Sequence, residues 1–167
     1  MPVILLLVLL VRMDSPGPAI LRQSRIGWRE KVFTCYKFRT MAEGTAAVGT
    51  HEAPASAVTK LGRHLRRLKL DELPQLWNVF LGQMSLVGPR PSLPNQIELI
   101  AERRARGVFD ARPGITGPGQ VQGIDMSTPA RLAAVDETWV QNPTLQKYVA
   151  YIISTVIGAG RGDRVRG

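Results

Sequence analysis

Two adjacent carboxylates, Asp71 and Glu72, directly follow a stretch crowded with cations: Lys60, Arg63, Arg66, Arg67 and Lys69. An aspartate can attack phosphorus and carry a covalent phosphoryl group. A glutamate beside it can ligand Mg²⁺, which takes one or two carboxylates together with phosphate oxygens. Arginines next to such a pair grip a diphosphate through charge-assisted hydrogen bonds and stabilise a departing phosphate. Taken alone, Asp71 also reads as a helix cap, and Glu72 as a first-turn residue favoured by the helix dipole. The chemical reading therefore needs partners elsewhere in the chain.

Three further blocks offer them. In Tyr36-Lys37-Phe38-Arg39-Thr40-Met41 the two cations alternate with aromatics, so they share one face of a strand; the plainer reading is a pair of solvated charges at a sheet edge. In Gly88-Pro89-Arg90-Pro91 an arginine sits between two prolines. The restricted backbone pre-organises a phosphate-binding fork, unless Arg90 is an incidental surface residue. Arg112-Pro113-Gly114-Ile115-Thr116-Gly117 is another stiff turn with exposed backbone N–H groups, followed by Gln120 and Gln122. Its glycines permit close approach of a ligand, although most glycine turns are only turns. His51 and His64 are isolated and receive no metal role. The single cysteine, Cys35, excludes an internal disulfide and a multi-cysteine metal site; its alternating apolar surroundings make it a small core residue.

These residues must be held by a small set of elements. Ala19–Ile26 and Val32–Phe38 read as strands joined through Gly27–Lys31, a β-hairpin. Ala42–Ala57, rich in Gly, Ala, Thr and Pro, reads as a mobile loop. Thr59–Leu68 is a basic helix that buries Leu61, Leu65 and Leu68. Asp71–Leu81 is a second helix, with Pro74 tolerated in its first turn. Leu93–Arg106 is a third. Arg112–Gly119 is a constrained loop. Thr128-Pro129 starts a helix reaching about Val140, and Thr144–Ile157 forms the last one, apolar enough for core or for a membrane surface. The tail Arg161–Arg166 is basic. The expectation is a small, α-rich α/β domain with a hairpin and several helices.

The 167 residues suffice for one domain with a real core. A hydrophobic content of 44% excludes global disorder. The formal charge of +9 implies anionic partners without choosing among them. Val3–Val11 reads VILLLVLLV, nine apolar residues without a break. A spanning helix needs about 20, and the flanks are not those of a signal peptide. Two readings stay open: a buried core helix, or a segment dipping into one leaflet.

In order and spacing, YKFRTM, LGRHLRRLKLDELPQLWNVFLGQMSLVGPRP and RPGITGPGQVQG resemble the bacterial sugar transferases of the monotopic phosphoglycosyl transferase family. The resemblance spans nearly the whole chain. It implies transfer of a sugar 1-phosphate from a UDP-sugar to polyprenyl (undecaprenyl) phosphate with release of UMP. Asp71 would be the nucleophile that carries the phosphosugar, and Glu72 the Mg²⁺ ligand. Arg66 and Arg90 fall where the family places phosphate-binding arginines; Lys37, Arg39 and Arg112 are further candidate contacts. It also implies membrane lipid as a partner, the bacterial inner (plasma) membrane as the location and a catalytic domain, residues 14–167, facing the cytoplasm. Pro2 and residues 3–11 stand where the family has the proline and outgoing arm of a re-entrant helix, so residues 1–13 are expected to be a membrane arm without its incoming half. Gln83 replaces the aspartate usual in Gly-Asp-Met-Ser, and Pro118 a bulky apolar residue. Gly123–Pro129 and the closing GRGDRV are similar to a subgroup that handles N-acetylated sugars. The competing reading is a catalytically impaired, membrane-peripheral binding module. A nucleic-acid binder, suggested by charge alone, lacks any supporting motif.

Overall fold

The apolar N-terminal run becomes the first helix of a computed structural model that describes residues 2–42, 44–45 and 55–158. Most of the loop between Ala42 and Ala57, including His51, lies outside the described residues, as do the basic tail and the closing GRGDRV. Along the chain the elements are α1 (Pro2–Asp14), β1 (Ile20–Ile26), β2 (Val32–Phe38), α2 (Lys60–Arg67), α3 (Gln75–Phe80), β3 (Ser85–Val87), α4 (Ile97–Ala105), β4 (Gly114–Thr116), α5 (Pro118–Val121), α6 (Pro129–Gln141) and α7 (Leu145–Val156). This is a small α/β fold of helices and two two-stranded sheets, β1–β2 and β3–β4. Two compact units divide it. One draws on Met1–Gln23 and Cys35–Trp77, the other on Ser24–Thr34 and Asn78–Arg161.

In the first unit α1 buries a single stripe. Leu7 and Val11 are buried with Ala19, Phe38 and Leu65, and Ile4, Val8, Ile20, Leu61, Leu70 and Leu73 pack around them. That spacing of three to four residues is one face of a helix. Val3, Leu5, Leu6, Leu9, Leu10 and Met13 remain exposed on α1. The core reading holds for this stripe, and the opposite side of the helix is exposed hydrocarbon. Among the described residues no helix is long and apolar enough to cross a membrane.

Helix α2 starts where its cap dictates, with the Thr59 hydroxyl accepting from the Gly62 N–H at 2.9 Å. Gly62 lets this first turn sit against the strand end: a Cβ there would meet the Thr40 carbonyl oxygen at 2.2 Å. Leu65 is buried as expected, but Leu68 is 63% exposed, because the helix ends at Arg67 and Leu68 has left its register. The expected helix Asp71–Leu81 is broken. A one-turn 3₁₀ helix, Leu70–Glu72, comes first, entered through Lys69 in the left-handed region at φ 55°, and α3 begins only at Gln75. Pro74 supplies no N–H, so a continuous ladder cannot form across it.

In the second unit Leu99, Ile124 and Leu132 make the core, with Met126 and Val135 beside them. The expected helix from Leu93 starts later, at Ile97, because the Gln96 side chain folds back to accept from the Leu93 N–H at 2.8 Å. The loop expected over Arg112–Gly119 contains β4 and the start of α5. Strand β4 runs parallel to β3, in register Ser85 with Gly114 and Val87 with Thr116. Gly88 and Gly114 make this possible: a Cβ on Gly114 would lie 2.1 Å from the Gly88 nitrogen. Helix α6 opens at Thr128-Pro129 as expected. Helix α7 is capped by Thr144, whose hydroxyl accepts from the Lys147 N–H at 3.2 Å. It sets Tyr148 and Tyr151 against the Trp139 ring, leaving Leu145, Val149, Ile153, Val156 and Ile157 exposed.

Candidate active site

The first unit gathers five of the expected site residues. Asp71 and Glu72 are buried, 8% and 7% exposed, on the 3₁₀ turn that packs against α2. Burial of two acids demands compensation. Part of it comes from β2, where the Lys37 ammonium lies 3.4 Å from Glu72 Oε1. Arg66, in the last turn of α2, donates from Nε to the Thr40 hydroxyl at 2.8 Å. Its Nη1 is buried and has no hydrogen-bond acceptor among the described residues. Arg39 is itself buried. It donates from Nη2 to the Ser15 carbonyl at 2.7 Å and from Nη1 to the Pro16 carbonyl, tying the turn after α1 to the end of β2, while its Nε is buried without an acceptor. A guanidinium nitrogen left unpaired in a buried place costs free energy. The one on Arg66, on the helix that packs against the acid dyad, fits an anionic ligand such as a diphosphate.

The dyad also fits Mg²⁺ in one specific way. Among the described residues no group of three or more His, Cys, Asp or Glu side chains clusters as a metal cage. Two adjacent carboxylates are what a Mg²⁺ ion shared with substrate phosphates takes from a protein.

Arg90 and Arg112 belong to the second unit. Arg112 is exposed on the surface, its guanidinium 4.9 Å from the centroid of the Trp28 ring, within cation–π range. The indole is itself fixed by a hydrogen bond from Nε1 to the Asp110 carbonyl at 3.2 Å. Arg90 sits in a segment whose main chain is pinned at every step. The Pro89 carbonyl accepts from the Gly114 N–H at 2.9 Å. The Arg90 carbonyl accepts from Arg103 Nη1 at 2.7 Å, the Pro91 carbonyl from Arg25 Nη1 at 2.9 Å, and the Ser92 carbonyl from the Ile26 N–H at 2.9 Å. Two prolines that cannot donate and four engaged carbonyls leave the backbone at Arg90 little freedom.

Arg25, Arg103 and Asp136 escape a reading of the sequence that looks for charge clusters. Arg103 is fully buried and gives Nε and Nη2 to Asp136 Oδ2 at 3.0 and 2.6 Å. Burial pushes the Asp136 carboxyl up from the ordinary range, and the charge and hydrogen bonds of Arg103 pull it back without cancelling the rise. One signal was legible: Asp136 falls in register with Leu132, Ala133 and Trp139 on the buried face of α6, where a lone acid requires a cation. Gln83 is explained by its neighbour. Its Oε1 accepts from the buried Asn78 amide at 2.8 Å, while the same Asn78 nitrogen donates to the Thr34 carbonyl at 2.7 Å. An amide oxygen fills this acceptor role as a carboxylate would, so the departure at Gln83 does not by itself argue for an impaired protein.

Comparison with known proteins agrees with the motifs. A family model described as bacterial sugar transferase matches residues 1–161. A sugar transferase of Bacillus subtilis, EpsL, whose own activity is uncharacterized, is 39% identical over 84% of this chain and 69% of its own length. A protein of Caulobacter vibrioides named UDP-glucose:undecaprenyl-phosphate glucose-1-phosphate transferase is 39% identical over 93% of this chain, which spans 61% of that relative. A protein of Aeromonas hydrophila named UDP-N-acetylgalactosamine-undecaprenyl-phosphate N-acetylgalactosaminephosphotransferase is 36% identical over 72% of this chain and 29% of its own length.

Proposed function

The chain belongs to the bacterial sugar transferase family, and from that membership we propose that it moves a sugar 1-phosphate from a UDP-sugar to polyprenyl phosphate, releasing UMP. Similar relatives carry the names of undecaprenyl-phosphate sugar phosphotransferases. The observation that carries the proposal is the buried Asp71–Glu72 turn packed on α2, the helix from which Arg66 brings a buried nitrogen in need of an acceptor.

In the first step an Asp71 carboxylate oxygen attacks the sugar-linked phosphorus. A P–O bond to Asp71 forms, and the bond from that phosphorus to the bridging oxygen breaks, so UMP leaves with the bonding pair. In the second step a phosphate oxygen of the polyprenyl phosphate attacks the same phosphorus and displaces the Asp71 carboxylate, giving a polyprenyl diphosphate sugar. Arg66 stabilises charge on the diphosphate. Lys37 holds Glu72 in place. Glu72 would hold Mg²⁺ together with phosphate oxygens; the ion, when bound, neutralises charge on the phosphates and on the leaving UMP.

The exposed apolar side of α1 and the charge of +9 support residence on an anionic lipid surface, with roughly 1 kcal/mol of attraction for each basic residue near it. The plasma membrane, with the site facing the cytoplasm where UDP-sugars are made, is the corresponding location.

The test is nucleotide release by protein in detergent with undecaprenyl phosphate, Mg²⁺ and a panel of UDP-sugars. Wild type should form UMP and the Asp71→Asn variant at least about 10³-fold less, since no substitute nucleophile stands in its place. Release of UDP would mean transfer of the sugar without its phosphate and would sink the mechanism.

A further inference from the structure

The first unit contains a groove that the reaction as described leaves unused. It has a volume of about 580 Å³ and is formed by Val8 and Arg12 of α1, Pro18 and Ala19 after it, Ile20, Leu21 and Arg22 of β1, and Arg39. Its chemistry is divided. Val8, Pro18, Ala19, Ile20 and Leu21 make an apolar wall, and three guanidiniums stand along it. Val8 and Arg12 are one helical turn apart, so the groove runs from hydrocarbon to cation along one face of α1.

None of the three cations is neutralised: no carboxylate lies within ion-pair distance of Arg12, Arg22 or Arg39 among the described residues. Arg12 and Arg22 are exposed. Arg39 is buried, with both Nη atoms donated to main-chain carbonyls and Nε left without an acceptor. Three uncompensated positive charges repel one another, and a buried donor without an acceptor adds to the cost. A bound anion relieves both. The apolar wall excludes a ligand that is anionic throughout, since an inorganic phosphate or a nucleotide would leave it in contact with water.

We infer that this groove binds the phosphate end of the acceptor lipid, a phosphate monoester on a hydrocarbon chain, with Arg12 and Arg22 on the phosphate and Val8, Ile20 and Leu21 against the first carbons of the chain. A monoester rather than a diester is the better match, because its second negative charge meets the third guanidinium. The inference rests on the proposed reaction for the identity of that lipid as polyprenyl phosphate. It removes Arg39 from the nucleotide-sugar contacts expected from sequence and places it at the acceptor.

The test separates the two readings by using binding as well as turnover. Full-length Asp71→Asn protein in detergent is titrated with undecaprenyl phosphate, with undecaprenol, with inorganic phosphate and with phosphatidylglycerol. Binding should require both halves of the ligand, so undecaprenyl phosphate should bind at least about tenfold more tightly than any of the other three. Arg12→Ala/Arg22→Ala should weaken it by roughly tenfold or more through the loss of two charge-assisted contacts, with an unchanged melting temperature because both side chains are exposed. In turnover the same pair should raise the KM for polyprenyl phosphate by a similar factor and change the KM for UDP-sugar less than about twofold. Equal binding by the double variant, or equal binding of phosphatidylglycerol, overturns the assignment. Lipid-phosphate binding that depends on Arg12 and Arg22 in a protein that never releases UMP would instead leave the groove standing and reject the reaction.

Discussion

Several arginines of the first unit are left open, and several of the second are closed by partners within the chain. In the first unit, among the described residues, Arg66 and Arg39 each keep a buried nitrogen without an acceptor, and Arg12 and Arg22 have no acid beside them. In the second, Arg103 is closed off by Asp136 and the Arg90 carbonyl, Arg25 holds the Pro91 carbonyl, and Arg104 and Arg106 pair with Glu30, Glu102 and Glu137. A guanidinium offers five donors in a rigid fork. Where the chain satisfies the fork, the residue is architectural. Where no acceptor stands among the described residues, the residual donors are left for water or a ligand. The lesson is that the count of cations in this basic sequence says little; the state of each fork says what it is for.

The sharpest way to break this distinction is at the closed pair. Asp136→Leu leaves Arg103 buried without its counter-charge, and should cost about 3–5 kcal/mol of stability, read by chemical denaturation. Arg103→Met in the same chain should recover a large part of that loss, since replacing both partners by apolar groups removes the uncompensated charge. If it does not, Arg103 is needed for the Arg90 carbonyl as much as for Asp136. The converse experiment is at the open fork. Arg66→Ala should lower kcat/KM for UDP-sugar by roughly 10²-fold, about 2.7 kcal/mol, and lower the melting temperature only by what the lost Nε–Thr40 hydrogen bond contributes. Arg66→Lys should recover little, since an ammonium cannot keep the Thr40 contact and meet a phosphate in the same plane.

How far the sequence disclosed this arrangement follows from what kind of signal each part leaves. The hairpin was legible because β2 is rich in β-branched and aromatic residues and its connection is short. Helix α6 was legible from its Thr128-Pro129 start, and α7 from the apolar run that follows Thr144. The dyad was legible as chemistry, yet its element was misplaced: Pro74 turned an expected helix start into a 3₁₀ turn followed by a separate helix. The β3–β4 pair left no pattern, because three-residue strands containing Gly114 show no alternation, and their pairing depends on backbone approach at glycines. The pinning of Arg90 was equally silent. Carbonyl acceptors belong to every residue, so no side-chain motif announces that Arg25 and Arg103 will find those of Pro91 and Arg90. Only Asp136, an acid on an apolar helix face, pointed at a hidden cation.

The weakest expected effect tests whether a satisfied fork always matters. The hairpin tip places Arg29 and Glu30 in the left-handed region, φ 55° and 57°, which disfavours side chains. Arg104 reaches this tip from α4 and gives Nε and Nη2 to the Glu30 carboxylate at 2.9 and 2.6 Å. Its hydrogen bonds hold the Glu30 carboxyl below the ordinary value near 4.5, against an opposing push from burial and with the Arg104 charge adding to the lowering. A depressed carboxylate contributes stability above its unfolded value and loses it as the pH falls through the folded one. Glu30→Gln should therefore lower the melting temperature slightly at neutral pH and not at all well below the carboxylate range. High salt should erase even the neutral-pH difference, because Arg104 is exposed and Glu30 half-buried at the surface, so the pair is screened. Glu30→Gly loses the same pair but relieves the backbone. If the glycine variant is at least as stable as wild type, the ion pair only offsets strain at the tip. If it is clearly less stable, the pair anchors the hairpin to α4, and a satisfied fork is structural even at the surface.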